Sequence, residues 1–135
     1  MECALDPGSN RKVILLVDDD AVVLQFVSEI LITGGYKVLT AANGPEAIQR
    51  SVDYAGEVDL LLSDFQMPGM SGIDVATTMT TTRPRLKVLM MSGFADGMLI
   101  LNEGWHFLAK PFFPSQLLAL IGGLISPDKQ SKFAG

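Results

Sequence analysis

Acidic, hydroxyl and cationic residues recur at one kind of place in this sequence, immediately after short apolar runs. Asp18-Asp19-Asp20 follow the run Val13–Val17, and the run Val58–Ser63 ends in Ser63-Asp64. Ser92-Gly93 follow Leu86–Met91, and Lys110-Pro111 follow Trp105–Ala109; only Tyr36–Thr40 runs into uncharged Ala41-Ala42. Carboxylates gathered at one edge repel, which raises a pKa unless a cation neutralises them. A small cavity rimmed by carboxylates and backbone oxygen suits Mg²⁺, which takes few protein ligands and keeps several waters. With that charge balanced, a carboxylate stays ionised and can act as a nucleophile. Phosphoryl transfer then needs mainly positioning and neutralisation of the equatorial oxygens, work suited to a metal ion, the Lys110 ammonium and the Ser92 hydroxyl.

That chemistry depends on elements that bring the run ends together. The five runs mostly lack polar alternation, as strands covered on both faces do. Between them lie stretches with helical spacing. The first carries Val22, Val23, Phe26, Val27, Ile30 and Leu31 and closes at Gly34-Gly35. The second opens at Gly44-Pro45, the third carries Ile73, Ala76 and Met79 and ends before Pro84, and a weak fourth covers 96–102. A fifth, after Pro114, shows Leu117, Leu118, Ile121, Leu124 and Ile125, weakened by Gly122-Gly123. Five strand–helix repeats predict an α/β fold: a single doubly wound, five-stranded parallel sheet with helices on both faces and right-handed crossovers. In such a sheet the binding crevice lies beyond the carboxyl ends of the strands, where the acids, Ser92 and Lys110 stand.

The 135 residues read as one domain over 12–126, with a flexible tail at 1–11 and another at 127–135. Hydrophobic residues make up 48% and charged residues 19%, the balance of a globular chain. The longest uncharged apolar runs are strand-length, so no membrane partner is expected, and the first ten residues lack a secretory pattern. A net charge of −5 argues against a nucleic-acid surface; Arg83, Arg85 and Lys87 fit a solvated loop. The single cysteine, Cys3, cannot form an internal disulfide and fits a reducing, cytoplasmic compartment. Bland alternatives stand beside each candidate. Asp18 and Asp19 could cap a helix, as Asp20 is expected to, and Asp64 could cap the loop before the third helix. Phe107 could be core filler, His106 reads as structural or solvent-facing, and the methionines as core or loop.

Val17-Asp18-Asp19, the block from Asp64-Phe65-Gln66-Met67-Pro68-Gly69 to Gly72, Met91-Ser92-Gly93 and Lys110-Pro111-Phe112 resemble the signature blocks of response-regulator receiver domains. The likeness runs from about Lys12 to Ile125 with the blocks in order. It implies a flavodoxin-like strand order 2-1-3-4-5 and a phosphorelay role, with Asp64 accepting a phosphoryl group from phosphohistidine. It further implies Mg²⁺ (Mn²⁺ substituting) on Asp18, Asp19, Asp64 and the Gln66 carbonyl, Ser92 and Lys110 on the phosphoryl group, and Phe107 as the aromatic switch. A cis peptide before Pro111 is also implied. The implied partners are a sensor histidine kinase or histidine phosphotransfer protein, with a homodimer or effector on the face of the fourth helix, fifth strand and fifth helix. The domain would catalyse its own phosphorylation and dephosphorylation without being an enzyme in the ordinary sense. Ser92 replaces the commoner threonine, the segment from Ser92 to Lys110 is about one turn short, and Met98-Leu99-Ile100-Leu101 is unusually apolar for the family. The Met-Ser-Gly-Phe and Phe-Leu-Ala-Lys-Pro-Phe blocks are similar to receivers of hybrid sensor kinases.

Two rivals are weighed. Asp18-Asp19-Asp20-Ala21-Val22 also resembles the nucleophile motif of haloacid-dehalogenase-type phosphatases, with Asp18 as nucleophile. Those enzymes need a further acidic pair after the lysine, whereas Asp128 is the only acid beyond Lys110, and Asp64 would have no role. A pseudo-receiver that only binds partners would typically lack a site residue, and none of the five is missing here.

Overall fold

The computed structural model describes residues 11–93 and 105–125; Cys3, the expected helical stretch 96–102 and nearly all of both expected tails lie outside the described residues. The strands are β1 (Val13–Val17), β2 (Lys37–Ala41), β3 (Leu60–Asp64), β4 (Lys87–Ser92) and β5 (Trp105–Ala109). The helices are α1 (Ala21–Thr33), α2 (Gly44–Asp53), α3 (Gly72–Thr82) and α4 (Pro114–Leu124). All strand pairs are parallel in the order β2-β1-β3-β4-β5, the predicted doubly wound topology.

Side chains alternate across a strand, so each central strand feeds two cores. Leu15, Val17, Leu61, Val88 and Met90 meet Ala47 of α2 and Val75, Ala76 and Met79 of α3 on one face. Ile14, Leu16, Leu62, Leu89 and Met91 meet Val27 and Leu31 of α1 and Leu117 and Ile121 of α4 on the other. Every residue of β1 is buried, which explains a run without polar alternation. Each fully buried Leu or Ile contributes about 1.5–3 kcal/mol.

Strands β2, β3 and β4 begin slightly later than their apolar runs, and at β2 and β4 the leading residue bonds back to the preceding turn. Tyr36 N–H donates to Leu31 O at 3.1 Å and Leu86 N–H to Arg83 O at 3.0 Å. Asp20 caps α1 as expected, accepting from Val22 N–H at 2.9 Å. Gly35, at φ +99°, takes the left-handed turn after α1 that a side chain would disfavour. Asn43 caps α2 ahead of Pro45. The cap of α3 is Ser71, in a reciprocal capping box with Asp74, and not Asp64.

Arg83 departs from the solvated-loop reading. Its guanidinium donates to Ser51 Oγ and Ser51 O, both at 2.9 Å, to Gly56 O at 3.1 Å and to Tyr54 O at 3.2 Å. It thereby ties the end of α2 to the end of α3, at the sheet edge away from the acids. On the outer strand β2, Arg50 Nε donates to Thr40 O at 2.6 Å while Arg50 pairs with Glu46 at 3.4 Å.

Candidate functional site

The Asp18-Asp19-Asp20 triplet divides into three environments as the chain leaves β1. Asp18 is 1% exposed; its N–H donates to Ala41 O at 3.2 Å, and its Oδ1 accepts from Asp20 N–H at 2.9 Å. Asp19 is exposed, and Asp20 turns away to cap α1. Asp64 is the last residue of β3, half-buried at the same carboxyl edge. Carboxylate oxygens of Asp18, Asp19 and Asp64 lie within 4.8 Å of one another.

The chain beyond Asp64 is held tightly. Phe65 N–H donates to Met91 O at 2.8 Å, Gly72 N–H donates to Phe65 O at 3.1 Å, and Gly69 turns the loop at φ +79°. Gly72 packs so close to this segment that a Cβ there would collide with the Asp64 carbonyl oxygen and approach Met90 Sδ at 2.9 Å. Its hydrogen in place of a side chain sets the spacing between α3 and the end of β3. Gln66 is exposed in the loop, one residue beyond Phe65.

Ser92 closes β4, buried, opposite Ala109 of β5. Lys110 N–H donates to Ser92 O at 2.7 Å, and the Lys110–Pro111 peptide is cis. The Lys110 ammonium reaches Asp64 Oδ1 at 3.2 Å and Asp18 Oδ2 at 3.4 Å. Asp18, Asp19, Asp64 and Lys110 are thus brought together, with Ser92 at the same edge. Phe107 stands one turn of the pleat back from that edge, half-buried against the α2/α3 core, and its ring meets Phe65 edge-on at 5.8 Å.

One ammonium faces three carboxylates. Burial pushes the Asp64 carboxyl above the usual aspartate range; Lys110 pulls it down, and the charges of Asp18 and Asp19 push it up again. Burial works to lower the Lys110 pKa, but the Asp18 and Asp64 carboxylates and their hydrogen bonds outweigh it, and the net shift is upward. The Lys110 shift reports the negative charge around it, whereas that of Asp64 comes first from burial. The donor set is all hard carboxylate oxygen, which suits a small divalent cation such as Mg²⁺ and not a thiophilic metal. Sequence reasoning assigned no role to Gly72 or Phe65, although both lie inside the block that carried the family resemblance. Their contacts span sheet and helix, and no local pattern announces them.

An open parallel sheet with three aspartates and a lysine converging beyond its carboxyl edge defines the architecture of a receiver. The family model of the response regulator receiver domain matches residues 14–122, and this chain belongs to that family. Sensor kinase CckA of Brucella abortus (strain 2308) is 34% identical over 125 residues, covering 90% of this chain and 13% of CckA. Cell cycle response regulator CtrA of Brucella ovis is 29% identical over 120 residues, covering 86% of this chain and 51% of CtrA. The chain therefore spans only a part, about half or less, of such curated relatives. Among solved structures, the receiver domain of the hybrid histidine kinase CckA superposes with a TM-score of 0.75 at 31% identity, covering 84% of this chain and 98% of that one. The response regulator TrrA of Thermotoga maritima, in complex with Mg²⁺-BeF, gives 0.75 at 28% identity, covering 84% and 99%. Among the described residues no helix is long and apolar enough to cross a membrane.

Proposed function

We propose that this chain is a phosphorelay receiver over residues 12–126 that accepts a phosphoryl group on Asp64. The observation that carries this reading is the gathering of Asp18, Asp19 and Asp64 within 4.8 Å of one another around a single ammonium, Lys110. An Asp64 carboxylate oxygen attacks the phosphorus of a phosphohistidine. The O–P bond forms as the N–P bond breaks, and the electron pair returns to the imidazole nitrogen. Lys110 and the Ser92 hydroxyl bind the phosphoryl oxygens, and the buried Asp18 holds Lys110 in place. Asp18, Asp19, Asp64 and the Gln66 carbonyl would hold Mg²⁺, or Mn²⁺ in its stead. When bound, the metal supplies positive charge that lets the carboxylates stay ionised and offsets the transferring oxygens. The same groups act on the acyl phosphate in hydrolysis, so the domain catalyses its own phosphorylation and dephosphorylation without turning over a separate substrate.

The donor is a cytoplasmic sensor histidine kinase or histidine phosphotransfer protein. Exposed Val22 and Phe26 on α1 and Phe113 before α4 flank the acidic edge and offer that partner an apolar rim. Output passes through repacking of Phe107 and the face of β5 and α4, toward an effector or a second copy. The phosphatase reading fares worse because Asp18, its nucleophile, is buried with one oxygen on Asp20 N–H and the other on Lys110.

Acetyl phosphate with Mg²⁺ should add the mass of one phosphoryl group to the intact chain. Asp64→Asn and chelation by EDTA should each abolish the gain. Phosphorylation that survives Asp64→Asn through Asp18, or no gain under any condition, overturns the reading.

A further inference from the structure

The contact between Phe65 and Phe107 joins the phosphoacceptor segment to the outer strand of the sheet. Phe65 directly follows Asp64, and its backbone is bound on both sides, to Met91 O at 2.8 Å and from Gly72 N–H at 3.1 Å. The ring is therefore carried on a main chain fixed to β4 and α3, and only its own side-chain torsions remain free. Strands β3 and β5 are not neighbours; β4 lies between them, with Ser63, Met90 and Phe107 in one register row. The two rings meet above that row, centroids 5.8 Å apart at 66°, both half-buried against the core shared with α2 and α3. An edge-to-face pair of this kind is attractive beyond its buried area.

We propose that Phe65 is a positioning residue that holds Phe107 in the resting arrangement, so that charge on Asp64 is opposed by a specific aromatic contact. The inference rests on the receiver reading. A phosphoryl group on Asp64 draws Ser92 toward it. Ser92 O is bound to Lys110 N–H, and Ser92 pairs with Ala109, so its movement carries the end of β5 with it. Phe107, two residues before Ala109, then leaves Phe65. Because the pair forms in the resting state, its removal favours the switched state. A ligand that mimics the phosphoryl group binds more tightly when the resting contact is lost.

The test is a double-mutant cycle on the folded chain with beryllofluoride and Mg²⁺, read by fluorescence of Trp105, the only tryptophan. Phe65→Leu should tighten beryllofluoride binding about three- to tenfold, the range an aromatic pair supplies. Phe65→Tyr, which keeps the ring, should restore wild-type affinity, and Phe65→Leu should have no effect in a Phe107→Leu background. If Phe65→Leu does not fold, Phe65→Met takes its place. Unchanged or weaker binding, or the same change in both backgrounds, overturns the inference. No beryllofluoride binding by the wild-type chain would instead sink the receiver reading itself.

Discussion

Replacing glycine by alanine should have opposite consequences at two places in this protein. At Gly72 the added Cβ would collide with the carbonyl oxygen of Asp64, sit 2.9 Å from Met90 Sδ and lie 3.2 Å from Ser63 Oγ. The first of these is backbone, held at the end of a buried strand, so it cannot yield as a side-chain tip would. Overpacking of this sort costs about 1–3 kcal/mol. Alanine's advantage in helix propensity, at most about 1 kcal/mol and smaller in a first turn, cannot offset it. For a domain of this size that means a fall in Tm of roughly 4–12 °C. Gly122 and Gly123 lie exposed in α4, and a Cβ at either meets nothing within 4 Å. There the propensity term acts alone, and each Gly→Ala should stabilise by about 0.5–1 kcal/mol, raising Tm by roughly 2–4 °C. Calorimetry on the three single variants checks the signs, and acetyl phosphate labelling shows whether displacing the Asp64 carbonyl also slows phosphorylation. A Gly72→Ala protein as stable as wild type, or destabilisation at Gly122 and Gly123, would refute the reasoning from close contact.

Arg83→Ala removes four hydrogen bonds from the end of α3, two to Ser51 of α2 and one each to Tyr54 and Gly56 just beyond it, and should cost about 2–3 kcal/mol. Because those bonds lie at the opposite end of the sheet from Asp64, the phosphorylation rate of the folded fraction should not change; urea melts and labelling kinetics check both. Burial raises the pKa of Tyr36, whose hydroxyl donates to Ile125 O at 3.3 Å. The folded state therefore holds the phenolic proton longer than the unfolded chain does. The associated stability is fully present below the unfolded pKa of about 10 and is lost as pH rises toward the higher folded value. Tyr36→Phe should lose the hydrogen bond yet flatten this alkaline decline, and urea midpoints between neutral and strongly alkaline pH would show the difference.

Much of the frame could be read from local pattern. Buried parallel strands announce themselves as unbroken apolar runs such as Ile14-Leu15-Leu16-Val17. Helix starts are set within three or four residues, as at Asp20 and at Gly44-Pro45. The convergence of Asp18, Asp19, Asp64, Ser92 and Lys110 followed from a rule of α/β topology applied to strand ends. Contacts made across the fold escaped. Arg83 looked like a loop cation because its acceptors at Ser51, Tyr54 and Gly56 lie 27 to 32 residues away. Gly72 drew no reading because the carbonyl that requires it belongs to another element. Asp64 as a cap was a fair local alternative until Ser71 and Asp74 took that role through a pairing three residues apart.

The bond from Arg50 to Thr40 has a consequence for behaviour in a crowded solution. Lys37 N–H and Ala41 O face β1, so Thr40 O, between them in the alternation, points out from the sheet. An outer strand with open backbone groups invites a neighbouring molecule to add a strand of its own, the first step toward aggregation. Arg50 fills the Thr40 acceptor from above while Lys37 sets a charge at the other end of the strand. At this margin of a short parallel sheet, a guanidinium from its own second helix leaves one fewer backbone group open to a neighbouring strand.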